Sequence, residues 1–266
     1  MRILVSGSKG FVGHKVMEMI PAALATPSLR GASEEKLRQI VDESEAEVII
    51  NTAAISDIPT CEAKPDASYE ANVLLPLRLA KAAGGRKLIF FSSDQVYSGS
   101  GEEGPYTEDM VKPANLYAKH KWEMEQRVLD VDPEAVMLRA EWMYDVYPFR
   151  ENYFMQILHA QSGLAFSSGQ FRGIAYLREV VENLERAAAL PGGAYNFGSE
   201  TQKSMYEITT EFLEALGKQI SVSDIPARHN LWMNCSKAEG HGIRFSTVEA
   251  GLLRCAEDYG LLRKPM

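Results

Sequence analysis

Apolar residues in this chain fall into short unbroken runs separated by longer amphipathic stretches. Ile3-Leu4-Val5, Val48-Ile49-Ile50, Lys87 to Phe91 and Ala135 to Arg139 read as buried strands. Between them, helical spacing runs through His14 to Ile20, where Pro21 ends it, and through Glu34 to Ser44 by way of Leu37, Ile40 and Val41. A third helix starts at Pro65 and carries Tyr69, Asn72, Leu75, Leu79 and Ala80; a fourth spans Asn115 to Leu129. Ala22 to Ser28 has a poor pattern and room for a short second strand. Strands alternating with helices predict an α/β protein, with a parallel sheet and crossover helices on both faces. Ser98 to Pro113 is rich in Gly, Ser, Pro and acids and reads as a loop. After Trp142 the alternation weakens, and Tyr144 to Phe154 is aromatic and interrupted by proline. Gln156 to Ala160 reads as a short helix, Ser162 to Gly173 as irregular, Leu177 to Leu190 as one helix, Tyr195 to Phe197 as a strand and Tyr206 to Leu216 as a helix.

The first strand runs into Gly7-Ser8-Lys9-Gly10-Phe11-Val12-Gly13, and a helix follows. Strand, glycine turn and helix are the context of a phosphate-binding turn, so the sheet is read as a Rossmann-type doubly wound one. Gly7 permits the tight turn, Gly10 lets the backbone approach a pyrophosphate, and Gly13 lets the helix pack close. The N-terminus of the helix that follows has free N–H groups that suit an anion. Residues 1–145 are then a dinucleotide-binding domain. Later elements, about 177–198, return to it, and 146–266 form mostly a smaller substrate-binding lobe. An acidic residue after the second strand would hold the ribose of NAD, yet none lies between Pro21 and Ala32. Arg30 stands there instead, placed either to meet the 2′-phosphate of NADP or as a solvated loop arginine. The reading leans to NADP over NAD. Ala53 and Ala54 follow a strand and are small enough for a flat cofactor to lie close.

Ser92 and Ser93 end another strand. Tyr117 and Lys121 lie four apart on a helix and therefore share a face. A phenol beside an ammonium is a proton-transfer pair, in which the lysine is expected to lower the phenol's pKa.

Of 266 residues, 45% are hydrophobic and 24% charged, which fits one large or two small globular domains. With 28 basic and 36 acidic residues the net charge is −8, and no basic run offers a nucleic acid a phosphate track. Cys61, Cys235 and Cys255 have no metal spacing and suit reduced thiols in a cytoplasm. His14, His120, His159, His229 and His241 form no metal motif. No apolar run nears the ~20 residues of a membrane span, and no export leader is seen. A cytoplasmic protein is expected, with a homodimer as the default assembly.

In order along the chain, the motifs resemble those of the extended short-chain dehydrogenase/reductases, and within them the dTDP-4-dehydrorhamnose reductases. Gly7-x-x-Gly10-x-x-Gly13 is similar to their cofactor turn, and Asn51-Thr52-Ala53-Ala54 with Cys61-Glu62 to their N-A-A-A segment. Pro65 and Asn72-Val73 fit the next helix. Ser92-Ser93-Asp94-Gln95-Val96-Tyr97-Ser98-Gly99 resembles S-T-D-x-V-F-x-G. Glu108-Asp109, Pro113, Asn115, Tyr117, Lys119 and Lys121 resemble E-x-D…P-x-N-x-Y-x-x-x-K. Arg139 and Trp142 match R-x-x-W, Asn152-Tyr153 resembles N-F, and Ser236-Lys237 a late S-K.

The resemblance implies NAD(P)H-dependent reduction of a 4-keto group on a nucleotide-linked deoxysugar. It assigns Ser93, Tyr117 and Lys121 to catalysis. Gly7, Gly10, Phe11, Val12, Gly13, Arg30, Ala53, Ala54, Asn72, Ser92, Tyr117 and Lys121 are expected at the cofactor. Asp94, Trp142, Asn152 and Arg172 are expected on the substrate side, with Arg172 either pairing with the substrate pyrophosphate or a surface arginine, and Trp142 either stacking on a sugar or base or buried. Three positions depart from the family. Glu141 stands before Trp142 where a small residue is usual, Ile55 replaces a tyrosine, and Gly169-Gln170-Phe171-Arg172-Gly173-Ile174-Ala175 replaces D-Q-Y-G-A-P-T. Two alternatives stay open. One is an epimerase or dehydratase of the same superfamily, for which Asp94 beside Ser93 is suggestive. The other is a non-catalytic dinucleotide-binding regulatory protein.

Overall fold

Every strand read from an unbroken apolar run enters one six-stranded parallel sheet of the computed structural model, which describes residues 1–147, 150–226 and 229–262. In chain order the elements are β1 (Ile3–Ser6), α1 (Phe11–Met19), β2 (Leu24–Ala25), α2 (Glu34–Ser44), β3 (Val48–Asn51), α3 (Ile58–Ala63) and α4 (Pro65–Tyr69). A π-helical turn, Glu70–Leu74, joins α4 to α5 (Leu75–Ala82). Then come β4 (Lys87–Ser93), a 3₁₀ turn (Asp94–Tyr97), α6 (Leu116–Val131), β5 (Val136–Ala140), β6 (Trp142–Tyr144), α7 (Tyr153–His159), β7 (Leu164–Phe166) and β8 (Ile174–Tyr176). The chain ends with α8 (Leu177–Glu182), α9 (Leu184–Ala188), β9 (Gly193–Phe197), α10 (Met205–Ala215), β10 (Val222–Asp224), α11 (Ser236–Gly240) and α12 (Val248–Asp258).

The sheet order is β2-β1-β3-β4-β5-β9. Connections reverse direction between β1 and β3, so their following loops part and open a crevice at the carboxyl ends of the strands. Strands β1 and β3 are buried on both faces, which is why they read as continuous apolar runs. One core, around Val5, Ile50, Ile89, Leu138 and Phe197, fills one face; another, around Leu37, Val41, Leu79, Phe90 and Met124, fills the other. A third cluster lies outside the sheet, where Tyr144, Phe154, Tyr176, Phe212 and Leu252 pack β6, β8, α7, α10 and α12 together. Capping residues stop the helices where the sequence supplies them: Asn115 accepts from Ala118 N (2.8 Å) at α6, and Ser204 and Glu207 form a capping box at α10.

Two readings change. Leu177 to Leu190 is two helices, because at Asn183 the side chain donates to Glu179 O (2.9 Å) and Arg244 O (2.6 Å). Its amide competes with the helical ladder and ties the break to a distant segment. The stretch read as irregular contains β7, which pairs in parallel with β10. Three residues are too few to show a period in sequence.

Candidate active site

The crevice holds a cavity of about 490 Å³. Gly10, Phe11 and Val12 line it from the end of β1, Thr52, Ala54 and Ser56 from β3, Ser92 to Gln95 from β4, and Ala140 to Met143 from β5. Tyr117 and Lys121 reach it from α6, and Arg150, Asn152 and Tyr153 from the approach to α7. Gly7 and Gly13 shape the turn from behind. Gly7 has φ +73°, and a Cβ there would lie 2.6 Å from Ala53 N; a Cβ on Gly13 would lie 2.3 Å from Gly7 O. No larger residue fits either position, and Ala53 packs beneath the turn. Gly10 caps α1 without a side chain, so an anion can meet the first-turn N–H groups. This cradle fits a dinucleotide.

Tyr117 and Lys121 are both buried on one face of α6. The ammonium lies 5.9 Å from the centre of the Tyr117 ring and donates to Phe91 O (2.7 Å). Burial lowers the Lys121 pKa to about 8, opposed by the charge of Glu125. The expected depression of the phenol is not what the structure shows. Burial raises the Tyr117 pKa, a hydrogen bond to Ser93 opposes the rise, and the Asp94 carboxylate adds to it. Tyr117 therefore stays a phenol with a proton to give. Ser93 Oγ donates to Asp94 Oδ1 (3.0 Å) and accepts from Gln95 N (3.2 Å).

Behind the adjacent serine lies a satisfied polar network. Ser92 Oγ donates to Glu125, and Arg139 grips Glu125 through Nε and Nη2 (3.0 and 2.7 Å). Arg139 Nη1 donates to Tyr97 Oη (2.9 Å), which donates to Asn196 Oδ1 (2.6 Å). Ser92 thus lines the cavity with its hydroxyl already committed.

Four expected roles need correction or relocation. Arg172 is buried, and its Nη2 donates to Asp94 Oδ2 at 2.6 Å, so neither side chain is free to meet a pyrophosphate. Asn72 is fully buried in the π-helical turn and does not line the cavity. Its amide donates to Ile55 O (2.9 Å) and accepts from Ile55 N (3.0 Å), so it braces the loop after β3 rather than touching a cofactor. Arg30 is exposed after β2 and does not line the cavity. Asn152 lines it but also caps α7 and donates to Asp145 O (3.0 Å). Trp142 is 53% exposed on the rim, and the Arg172 guanidinium stacks 3.7 Å from its ring centre. It is not the buried aromatic of the alternative reading.

Two residues escaped the sequence reading. Arg150 is an exposed cation on the cavity wall, its guanidinium 5.6 Å from the Phe11 ring at the glycine turn. It lies in an aperiodic stretch that carries no signal for it. Glu141 was marked only as a departure; it is buried on the cavity wall, and burial raises its pKa well above the carboxylate range. Among the described residues no His, Cys, Asp or Glu group is arranged to hold a metal, and no helix is long and apolar enough to cross a membrane.

The geometry has counterparts. A dTDP-4-dehydrorhamnose reductase of Mycolicibacterium smegmatis is 30% identical over 152 residues, 54% of this chain and 46% of that protein. The methionine adenosyltransferase 2 subunit beta of Rattus norvegicus is 26% identical over 278 aligned positions, 91% of this chain and 83% of that one. A solved dTDP-4-dehydrorhamnose reductase of Bacillus anthracis, in complex with NADP, shares the fold with a TM-score of 0.84 at 19% identity, over 97% of this chain and 98% of that one. The sequence model of the RmlD substrate binding domain family matches residues 1–230, and the chain belongs to that family.

Proposed function

We propose that this protein reduces a 4-keto group on a nucleotide-linked deoxysugar, with NADPH as the reductant. The observation that carries the reading is convergence. The glycine turn, Ser93 and a protonated Tyr117 come from the ends of different strands and from α6, yet line one cavity. The reductase names of the relatives from Mycolicibacterium smegmatis and Bacillus anthracis agree with it. Gly7, Gly10, Phe11, Val12, Gly13 and Ala54 would hold the dinucleotide, with its pyrophosphate at the start of α1. When bound, the nicotinamide supplies hydride. Tyr117 donates its proton to the alkoxide that forms at the carbonyl oxygen, and burial keeps that proton in place until then. Ser93 turns its hydroxyl from Asp94 to the same oxygen, as a donor aimed at developing charge. Lys121 places a positive charge beside Tyr117. Trp142 offers an exposed aromatic face to the sugar or base, and Asn152 orders the segment that closes the same side. NADP rather than NAD is favoured by the want of an acidic residue after β2 and by the NADP bound to the Bacillus anthracis reductase.

A dehydratase reading loses ground, because Asp94 is held by both Arg172 and Ser93 and is not free as an acid. A second reading, a subunit that binds the dinucleotide without turnover, is favoured by the methionine adenosyltransferase relative. One experiment separates them: oxidation of NADPH followed on addition of a dTDP-4-dehydro-6-deoxysugar, in wild type and Tyr117→Phe. The reductase reading expects turnover in wild type and a fall of about 10²–10⁴ in the variant, with cofactor affinity unchanged. NADPH binding with no oxidation in wild type would favour the subunit.

A further inference from the structure

Two of the departures from the family meet in one place. Glu141 follows β5, and Gly173 precedes β8 beside Arg172. A Cβ on Gly173 would lie 1.8 Å from Glu141 Oε2, and one on Gly198 would lie 2.3 Å from Glu141 Cδ. Neither glycine has positive φ, so space and not backbone conformation demands them. The chain has carved a socket for this carboxyl. Within it, Oε1 accepts from Ser199 N (2.6 Å), and Oε2 is buried with no hydrogen-bond partner.

The charges around it do not balance if every group is ionised. Asp94 and Glu141 are two carboxyls served by one guanidinium, and Arg172 spends its short contact on Asp94 (2.6 Å) while its Nε has no partner. Glu200, Cys235 and Tyr144 are further titratable groups that act on or feel Glu141, and Glu200 accepts from Cys235 N (2.6 Å). None adds positive charge. In a buried site one cation offsets one anion, and a second carboxyl takes up a proton instead.

We propose that Glu141 is a neutral carboxylic acid and a positioning residue: it leaves Arg172 wholly to Asp94, and so governs how tightly Asp94 holds the Ser93 hydroxyl. Ser93 has one proton and two acceptors, Asp94 Oδ1 and the reacting oxygen. Arg172 withdraws charge from Asp94 and loosens that hold. A charged Glu141 would compete for Arg172, strengthen Asp94 as an acceptor and keep the Ser93 proton from the substrate. Gly173, Gly198, Glu141 and Arg172 are then one unit, in which Glu141 stands where the family has a small residue. The kinetic part rests on the reductase reading; the protonation part does not.

The test is infrared spectroscopy of the full chain at neutral pH, with the carboxyl carbons of glutamate or aspartate isotopically labelled. A protonated-acid carbonyl band that shifts on glutamate labelling and is lost in Glu141→Gln is expected. The same band should vanish in Asp94→Asn, where Arg172 has only Glu141 left to pair with. A wild type without the band, a band that survives Glu141→Gln, or one that survives Asp94→Asn overturns the proposal. If turnover is established, Glu141→Gln should keep kcat within about twofold, since an amide mimics the neutral acid. Glu141→Ala, which orphans Ser199 N, should lose about tenfold in kcat with NADPH affinity unchanged. A Glu141→Gln variant as impaired as Glu141→Ala would show that the carboxylate form is needed. The infrared result stands whether or not the protein proves to be a reductase.

Discussion

Ser92 and Ser93 are neighbours on one strand, and each backs onto a buried carboxylate–arginine pair; the two pairs are built to opposite standards. Behind Ser92, Arg139 holds Glu125 through two nitrogens and spends its remaining one on Tyr97 Oη and Glu108 O. Behind Ser93, Arg172 makes one contact with Asp94, leaves Nε without a partner and stands beside a second carboxyl. A fully satisfied buried network rigidifies what it touches, whereas a partly satisfied one costs free energy that evolution retains only for a reason. The first pair anchors β4, β5 and α6 to each other. The second borders the cavity and leaves its serine able to turn.

The comparison breaks most heavily at Arg139. Arg139→Met strips the partner from a carboxylate that has no exposure, and breaking such a pair costs about 3–5 kcal/mol. Urea unfolding followed by circular dichroism should show that loss. A variant as stable as wild type would mean that Glu125 takes a proton at little cost.

The serines themselves sharpen it next. Ser93→Ala removes a donor to developing charge and should lower kcat about 10²-fold, with about 1 kcal/mol of stability lost as Asp94 Oδ1 and Gln95 N lose their partner. Ser92→Ala removes a hydroxyl committed to Glu125 and should cost about 1 kcal/mol of stability with kcat nearly unchanged. Steady-state kinetics and urea melts on the two proteins decide it. Equal losses of kcat would erase the distinction between the two pairs.

Sequence reveals the two pairs unequally. Arg139 and Tyr97 sit inside segments that resemble family motifs, and the strands that carry Ser92 and Arg139 are unbroken apolar runs. The turn at Gly7, the small residues after β3, and Tyr117 with Lys121 were readable for the same reason: each needs only neighbours within a turn or strand. Arg172 and Asp94 are 78 residues apart, and no local period relates them. A single sequence therefore offered Arg172 as a free cation and Glu141 as an oddity, when their meeting at Gly173 explains both. Asn72 misled for a related reason. Its position in the helix was legible, but its direction is set by a π-helical turn that sequence does not announce.

A smaller effect comes from pH. On this face burial lowers the Lys121 pKa to about 8, and Glu125 holds it up in part. A lysine carries its charge below its pKa, so the charge beside Tyr117 is present at neutral pH and lost as pH rises through about 8. Tyr117 keeps its proton over that range, because burial raises its pKa. The loss of the Lys121 charge should then lower the rate of ketone reduction by about tenfold per pH unit on the alkaline side. A profile flat through that range would show that Lys121 is not what limits it, and would separate Ser93 and its neighbours from the lysine.

The smallest effect belongs to Arg150, the free counterpart of Arg172. Both are arginines of the cavity region, but Arg172 is consumed by Asp94, whereas Arg150 is exposed and stacks over Phe11 at the start of α1. A guanidinium there can reach a diphosphate seated on the glycine turn, and an exposed charge–phosphate contact is worth on the order of 1 kcal/mol. Arg150→Ala should weaken NADPH binding by about fivefold, measured by quenching of the nicotinamide fluorescence, and the loss should shrink as salt is added. Arg172→Met, by contrast, should leave that affinity alone while lowering kcat, because its charge never reaches the ligand. If Arg150→Ala instead weakens binding of dTDP and spares NADPH, the cation serves the sugar nucleotide's diphosphate, and the two arginines still divide as ligand-facing and serine-facing. If the two variants behave alike in both titrations, that division fails.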